Sequence, residues 1–210
     1  MLFDHDGVLV DTERWYFRAG QRALAEVGLT LDEAAYVHGM SSGAGTWDAA
    51  RAAGVDEQTI DRLREHRDAY YQEYLRTEPI EIPGVVETLS SLAPHVRMGI
   101  VTTAKRADFE LIHRHRQIVS YMDVVLVRED YEHAKPDPEP YLTGLERLGA
   151  TPSETLVVED SARGLRSAVA AGIDCVVVHH DFTRSQDFSG ASYRIDELGE
   201  LVGLILGGSS

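Results

Sequence analysis

From residue 84 onward, short runs rich in Val, Ile and Met alternate with amphipathic stretches of about ten to fifteen residues. Segments 96–103, 122–127, 154–160 and 174–180 read as strands, and the apolar "MLF" at residues 1–3 as one more. Segments 84–93, 105–116, 137–149, 161–172 and 195–206 read as helices, with prolines near the start of the third and with Ser161 as cap and Gly172 as stop of the fourth. Strands joined by helices rather than tight turns pair in parallel, and a parallel sheet must be covered on both faces. The expected fold is therefore α/β, a Rossmann-like doubly wound parallel sheet.

Residues 13–79 have a different texture. They contain no convincing strand, but "ERWYFRAGQRALAEVG", "TLDEAAYVHG", "GTWDAARAAG" and "DEQTIDRLREHRDAYYQEYLR" each carry helical spacing. Pro79 and Pro83 end the pattern. The chain thus reads as a core of residues 1–12 and 82–210, interrupted by an α-helical cap at 13–81.

Composition narrows the function. With 35 acidic and 20 basic residues the formal net charge is −15, which disfavours nucleic acid, since phosphate-backbone binding needs clustered positive charge. No apolar run reaches the roughly 18 residues of a membrane span, the first residues lack a signal-peptide layout, and the single Cys175 has no partner for an internal disulfide. The expectation is a cytoplasmic protein, monomer or homodimer, with neither nucleic acid nor membrane as partner. Only Lys105 and Lys135 are lysines, while the other 18 basic residues are arginine, so a lysine at a motif position is informative.

Four polar features follow predicted strands: Asp4 and Asp6, Thr102 and Thr103, Lys135, and Glu159 with Asp160. In a parallel sheet those carboxyl ends share one edge, where open α/β sheets bind ligands. Several carboxylates gathered there would repel one another unless a cation sat among them, and an all-oxygen donor set suits a hard cation such as Mg²⁺. Taken singly, each residue has an ordinary reading: turn or cap for the aspartates, strand residue for the threonines, solvated base for Lys135. His113 with His115, and His179 with His180, read as surface histidines. His5, between the two aspartates, has no assigned role.

The segments "FDHDGVLVD", "GIVTTAK", "HAKPDP" and "VVEDSARGLRSAVAAG" resemble, in order, the four motifs of the haloacid dehalogenase superfamily, which consists mostly of phosphatases. The insertion after the first motif is similar to the small helical cap of the phosphoglycolate-phosphatase and beta-phosphoglucomutase group. The resemblance implies Asp4 as nucleophile, Asp6 as general acid and base, Thr102 on a phosphoryl oxygen, and Lys135 neutralising charge. It implies Mg²⁺ held by Asp4, Asp6 (through its carbonyl), Glu159 and Asp160. A small phosphorylated metabolite is the implied substrate, contacted by Thr103 and by cap residues such as Tyr16, His38 and Ser42, with Ser41 and Trp47 also facing the cleft. A sugar-phosphate mutase is the alternative, weakened because Tyr16 and Ser42 stand where those mutases carry His and Arg. An aspartyl-phosphate acceptor without turnover is the alternative from another class.

Overall fold

The computed structural model describes residues 1–42 and 45–207, the side chains of Ser41 and Ser42 excepted. The chain divides into two compact units: Met1–Asp11 together with the chain from Ile80 onward, and Thr12–Pro79.

The first unit is a six-stranded parallel sheet: β1 (Leu2–Phe3), β2 (Gly99–Val101), β3 (Val124–Leu126), β4 (Leu156–Glu159), β5 (Asp174–Val178) and β6 (Tyr193–Ile195), in the order β3-β2-β1-β4-β5-β6. The helices between them are α5 (Val85–Leu92), α6 (Arg106–His113), α7 (Glu139–Leu148), α8 (Ala162–Ala170) and α9 (Glu200–Leu206). Leu2 pairs with Gly99 and Val157, and Phe3 with Ile100 and Val158. Two residues suffice for β1 because both edges of this short strand are hydrogen-bonded to neighbours. Side chains alternate across the sheet. Leu2, Val101, Val157, Cys175 and Val177 therefore pack with Tyr141, Leu145 and Leu148 of α7 and Leu165 and Ala168 of α8 in one buried cluster. Strand order reverses beside β1, and the crevice at that switch point, beyond the ends of β1 and β4, is where this architecture receives ligands.

The structure departs from the sequence reading near the end of the chain. Residues 193–195, where no strand was expected, form the edge strand β6, and the last helix, expected from residue 195, starts at Glu200. Tyr193 and Arg194 are exposed and the strand is three residues long, so it leaves no alternating apolar pattern to read. Helix α6 ends at His113 rather than near 116.

The second unit is helical: α1 (Glu13–Ala25), α2 (Glu33–Ser42), α3 (Asp48–Ala52) and α4 (Glu57–Thr77). Asp56 caps α4 by accepting from Thr59 N–H. Ala23 and Leu24 of α1 meet Trp47, Ala50, Ile60 and Leu63 in its core. Trp47 is thus not a cleft residue; its indole is buried inside the helical unit, where a large apolar ring gains most. Arg67 is also buried, its Nη1 donating to the Tyr16 hydroxyl at 2.5 Å with the guanidinium over the Tyr16 ring. Among the described residues no helix is long and apolar enough to cross a membrane.

Candidate active site

The parallel register fixes the site. Asp4 follows β1 directly and its N–H donates to Val158 O at 2.8 Å, which sets it beside the end of β4. Glu159 is the last residue of β4 and Asp160 the next. Thr102 follows β2, its N–H donating to Leu126 O of β3. Gly7, at φ +81°, turns the chain after Asp6, and a Cβ there would lie 2.2 Å from Asp160 Oδ2. Only glycine allows both the backbone angle and that approach.

Lys135 occupies the centre. Its Nζ donates to Asp4 Oδ1 at 2.7 Å, Glu159 Oε1 at 2.7 Å and Val101 O at 2.9 Å, while the group as a whole is only 4% exposed. Burial by itself lowers an ammonium pKa, but the Asp4 and Glu159 carboxylates outweigh it and raise that of Lys135. Its charge is permanent.

The two acids respond in opposite directions. Burial, then repulsion from Glu159, pushes the Asp4 carboxyl up to about 6 against the pull of Lys135. Burial acts the same way on Glu159, but Lys135 and the hydrogen bonds from Lys135, Tyr141 and Ser161 hold that carboxyl below its ordinary range. Glu159 Oε1 accepts from Lys135 and from Tyr141 OH at 2.6 Å, and Oε2 from Ser161 Oγ at 3.0 Å. A Cβ on Gly164 would fall 1.7 Å from Oε1, so α8 is packed tightly against this carboxylate. Glu159 is mainly the anchor of Lys135.

Oxygens of Asp4, Glu159 and Asp160 lie within 4.8 Å of one another, a set that could hold a metal ion. Hard oxygen donors without sulfur or imidazole fit Mg²⁺. Asp6 is near this group but partly solvated, and its Oδ2 accepts from Thr102 Oγ1 at 3.2 Å. Thr102 is fully buried and its hydroxyl also accepts from Ala104 N–H at 3.0 Å, while Tyr131 OH donates to its carbonyl at 2.7 Å.

Asp4, Asp6, Thr102, Lys135, Glu159 and Asp160, drawn from four separate segments, therefore converge at one sheet edge. Thr103 is half-buried beside Thr102. Tyr16 and His38 belong to the helical unit, where Tyr16 is bound to Arg67 and His38 is exposed on α2. The side chain of Ser42 lies outside the described residues.

Two histidines expected at the surface are not there. His113 Nε2 is 2.9 Å from Nε2 of His5, which is 0% exposed. His180 Nδ1 lies 3.9 Å from Asp160 Oδ2, with the ring mostly covered. His115 and His179 are exposed. The i, i+2 spacing told His113 from His115 correctly; what it lacked was knowledge of what faces α6. Tyr141, Ser161 and Thr183 were also missed. Thr183 Oγ1 sits 3.4 Å from Asp160 Oδ2, and the turn after β5 that carries it gives no signal beyond its polar composition. Tyr141, one residue after Pro140 in α7, reads as an ordinary core aromatic.

Over 188 residues the chain is 32% identical to a phosphorylated carbohydrates phosphatase of Thermotoga maritima, covering 85% of each protein. It is 30% identical over 185 residues to the fructose-1-phosphate phosphatase YqaB of Escherichia coli, covering 85% of this chain and 95% of that one. The solved structure of CbbY from Rhodobacter sphaeroides in complex with phosphate superposes with a TM-score of 0.79 at 25% identity, covering 95% of this chain and 94% of the other. Residues 1–178 match the haloacid dehalogenase-like hydrolases as a family, and the chain belongs to that family.

Proposed function

We propose that this protein is a Mg²⁺-dependent phosphatase that hydrolyses a small phosphomonoester, a sugar phosphate or a similar metabolite, through an aspartyl-phosphate on Asp4. The observation that carries the reading is Lys135, whose ammonium joins Asp4 and Glu159 from segments 131 and 24 residues away. A buried cation pinned beside a carboxylate whose pKa is raised suits a nucleophile that must accept a phosphoryl group. The relatives' names support the substrate class, since two of them act on phosphorylated carbohydrates or fructose 1-phosphate.

Asp4, Asp160 and Glu159, with the Asp6 carbonyl, are the residues that would hold Mg²⁺. Bound there, the ion supplies charge neutralisation between the carboxylates and a substrate phosphate. The chain's own residues perform the rest. The Asp4 carboxylate attacks phosphorus, forming a P–O bond as the ester P–O bond breaks, and Asp6 gives its proton to the leaving alkoxide. Asp6 then takes a proton from a water molecule. That water attacks the phosphorus of the aspartyl-phosphate, releasing inorganic phosphate and restoring Asp4. Lys135 balances charge on Asp4 and the phosphoryl group throughout, and the Thr102 hydroxyl, which donates to Asp6 Oδ2 here, is assigned to a phosphoryl oxygen once substrate is bound. Choice among substrates is assigned to Thr103 and to Tyr16, His38 and Ser42 of the helical unit.

The test is a panel of phosphorylated metabolites with Mg²⁺, repeated with EDTA and with Asp4→Asn. The expected result is release of phosphate that chelation stops and excess Mg²⁺ restores, and that Asp4→Asn abolishes. Full turnover by Asp4→Asn overturns the nucleophile assignment; turnover unaffected by EDTA overturns the metal.

A further inference from the structure

We propose that Tyr131 is a positioning residue, whose buried hydroxyl holds the Thr102 carbonyl toward β3 and thereby aims the N–H of Thr103 at a phosphoryl oxygen of the substrate. The proposal rests on the phosphatase reading, in which this end of β2 receives the phosphoryl group.

The need for Tyr131 arises in the sheet itself. Strands β2 and β3 pair in parallel as far as Val101 and Leu126, and Thr102 N–H extends the ladder by donating to Leu126 O at 2.9 Å. In a regular parallel ladder the carbonyl of that same residue accepts from the residue two further along the neighbour, here Arg128. Arg128 N–H instead donates to Ala104 O at 2.9 Å. The ladder thus passes over the Thr102 carbonyl, although Thr102 is fully buried. A buried carbonyl without a donor is costly. The Tyr131 hydroxyl supplies the donor at 2.7 Å, and the direction is settled because a carbonyl only accepts. Burial pushes the Tyr131 phenol up to about 12, so its proton stays in place through any ordinary assay.

The phenol comes from a loop that is itself held. Arg128 Nη1 donates to Tyr131 O at 2.9 Å and Nη2 to Glu132 O at 3.2 Å, with the guanidinium carbon 5.5 Å from the centre of the Tyr131 ring. The Glu139 carboxylate accepts from the N–H groups of Glu132 and His133, each at 2.8 Å. Four residues after Tyr131, Lys135 Nζ donates to Val101 O at 2.9 Å. Successive carbonyls of a strand face opposite neighbours, so this one loop grips β2 on both edges: Val101 toward β1, Thr102 toward β3.

Peptide geometry turns that grip into an orientation. The Thr102–Thr103 bond is trans, and a planar trans peptide sets its N–H opposite its C=O. With the carbonyl drawn toward β3, the Thr103 N–H points to the β1 side, where Asp4 and Asp6 follow that strand. Thr103 is half-buried, and its N–H meets no acceptor among the described residues. An N–H fixed in this way is a donor prepared for an oxyanion before substrate arrives. Without the Tyr131 hydroxyl the peptide plane is free to turn, and the preparation is lost.

The test uses the full-length protein, with inorganic phosphate and Mg²⁺ as the probe. In the ¹⁵N-labelled unaltered protein, saturation with phosphate should move the Thr103 amide proton downfield, as a new hydrogen bond to a charged oxygen does. Tyr131→Phe keeps the ring and removes only the hydroxyl; most of that movement should be lost. Its kcat should fall about tenfold or more, with KM changed less than kcat. A Tyr131→Phe protein in which phosphate moves the Thr103 amide in full overturns the proposal, whatever its melting temperature, because loss of packing alone lowers stability without turning this peptide. Unaltered protein that binds phosphate by calorimetry without moving Thr103 also overturns it and leaves the phosphatase reading intact. A protein that neither binds phosphate nor hydrolyses any phosphomonoester removes both. Should Tyr131→Phe not fold, the response of Thr103 in the unaltered protein still decides between these outcomes.

Discussion

Replacing Lys135 by Met removes the ammonium between Asp4 and Glu159 while keeping most of the side-chain volume. The oxygens of these two acids lie within 4.8 Å of each other. At an effective dielectric constant of about 20, two charges at that distance repel by roughly 3 kcal/mol. In the native protein the ammonium, 2.7 Å from each, offsets that repulsion. Without it the Asp4 carboxyl, already raised by burial and by Glu159, should rise further, since Lys135 is the group that opposes both. A smaller share of Asp4 would then be ionised near pH 7, which lowers the ionised nucleophile. Loss of the positive charge from the phosphoryl group should cost about another 10² in turnover.

The assay is steady-state hydrolysis of an aryl phosphate with saturating Mg²⁺ between about pH 5 and 9, alongside thermal melts. The unaltered enzyme should lose activity in acid, as the Asp4 carboxylate is protonated. In Lys135→Met that limb should move to higher pH. Stability should change with the opposite sense. A carboxyl whose folded-state pKa is raised above the unfolded value favours the folded state at low pH, and that contribution is lost as pH rises through the folded pKa. The deficit of Lys135→Met, about 3–5 kcal/mol in alkaline solution for a broken buried pair, should therefore shrink on acidification. A variant within about threefold of normal turnover, with an unmoved pH limb, would refute the assignment of Lys135 as the counter-charge of Asp4.

Thr102→Val keeps the shape of the side chain but removes the donor to Asp6 Oδ2 and the acceptor of the Ala104 N–H. It should lower turnover by about 10²-fold while destabilising the fold by about 1–3 kcal/mol. Thr102→Ser should restore much of the activity, and a Thr102→Val enzyme with unchanged kcat would show that the hydroxyl plays no part in the reaction. Gly164→Ala would place a methyl 1.7 Å from Glu159 Oε1. The displacement of this carboxylate should cost about 1–3 kcal/mol or more in a chemical melt, as overpacking does, and should reduce turnover with it. Gly190→Ala, whose added Cβ would make only ordinary contact with Val169 at 3.7 Å, is the matched control; equal melts for the two would contradict the tight packing of α8.

Much of the site was written locally. A short apolar run followed by an Asp-x-Asp-Gly turn, a strand ending in Thr-Thr, and a strand ending in Glu-Asp are contiguous patterns. Backbone geometry then places each at a strand's carboxyl end whatever surrounds it. The scarcity of lysine likewise singled out Lys135 before any fold was known. Strand alternation and helix caps made the parallel sheet legible for the same reason, because each depends on residues within a few positions of one another.

Partnership was not legible. Glu159 reads from the sequence as one more metal-binding acid, but the folded chain surrounds it with Lys135, Tyr141 and Ser161, so that anchoring Lys135 becomes its main work. His113 reads as surface until His5, 108 residues away, is found against it, and His180 until Asp160 is found beside its ring. The edge strand β6 exists only because β5 offers it hydrogen bonds. In each case the deciding energy is a contact between segments distant in the chain, and such contacts depend on how helices and strands pack rather than on any neighbouring residue. Sequence therefore determined which groups are brought to the sheet's edge; tertiary structure decided which of them touch, which are neutral and which are charged.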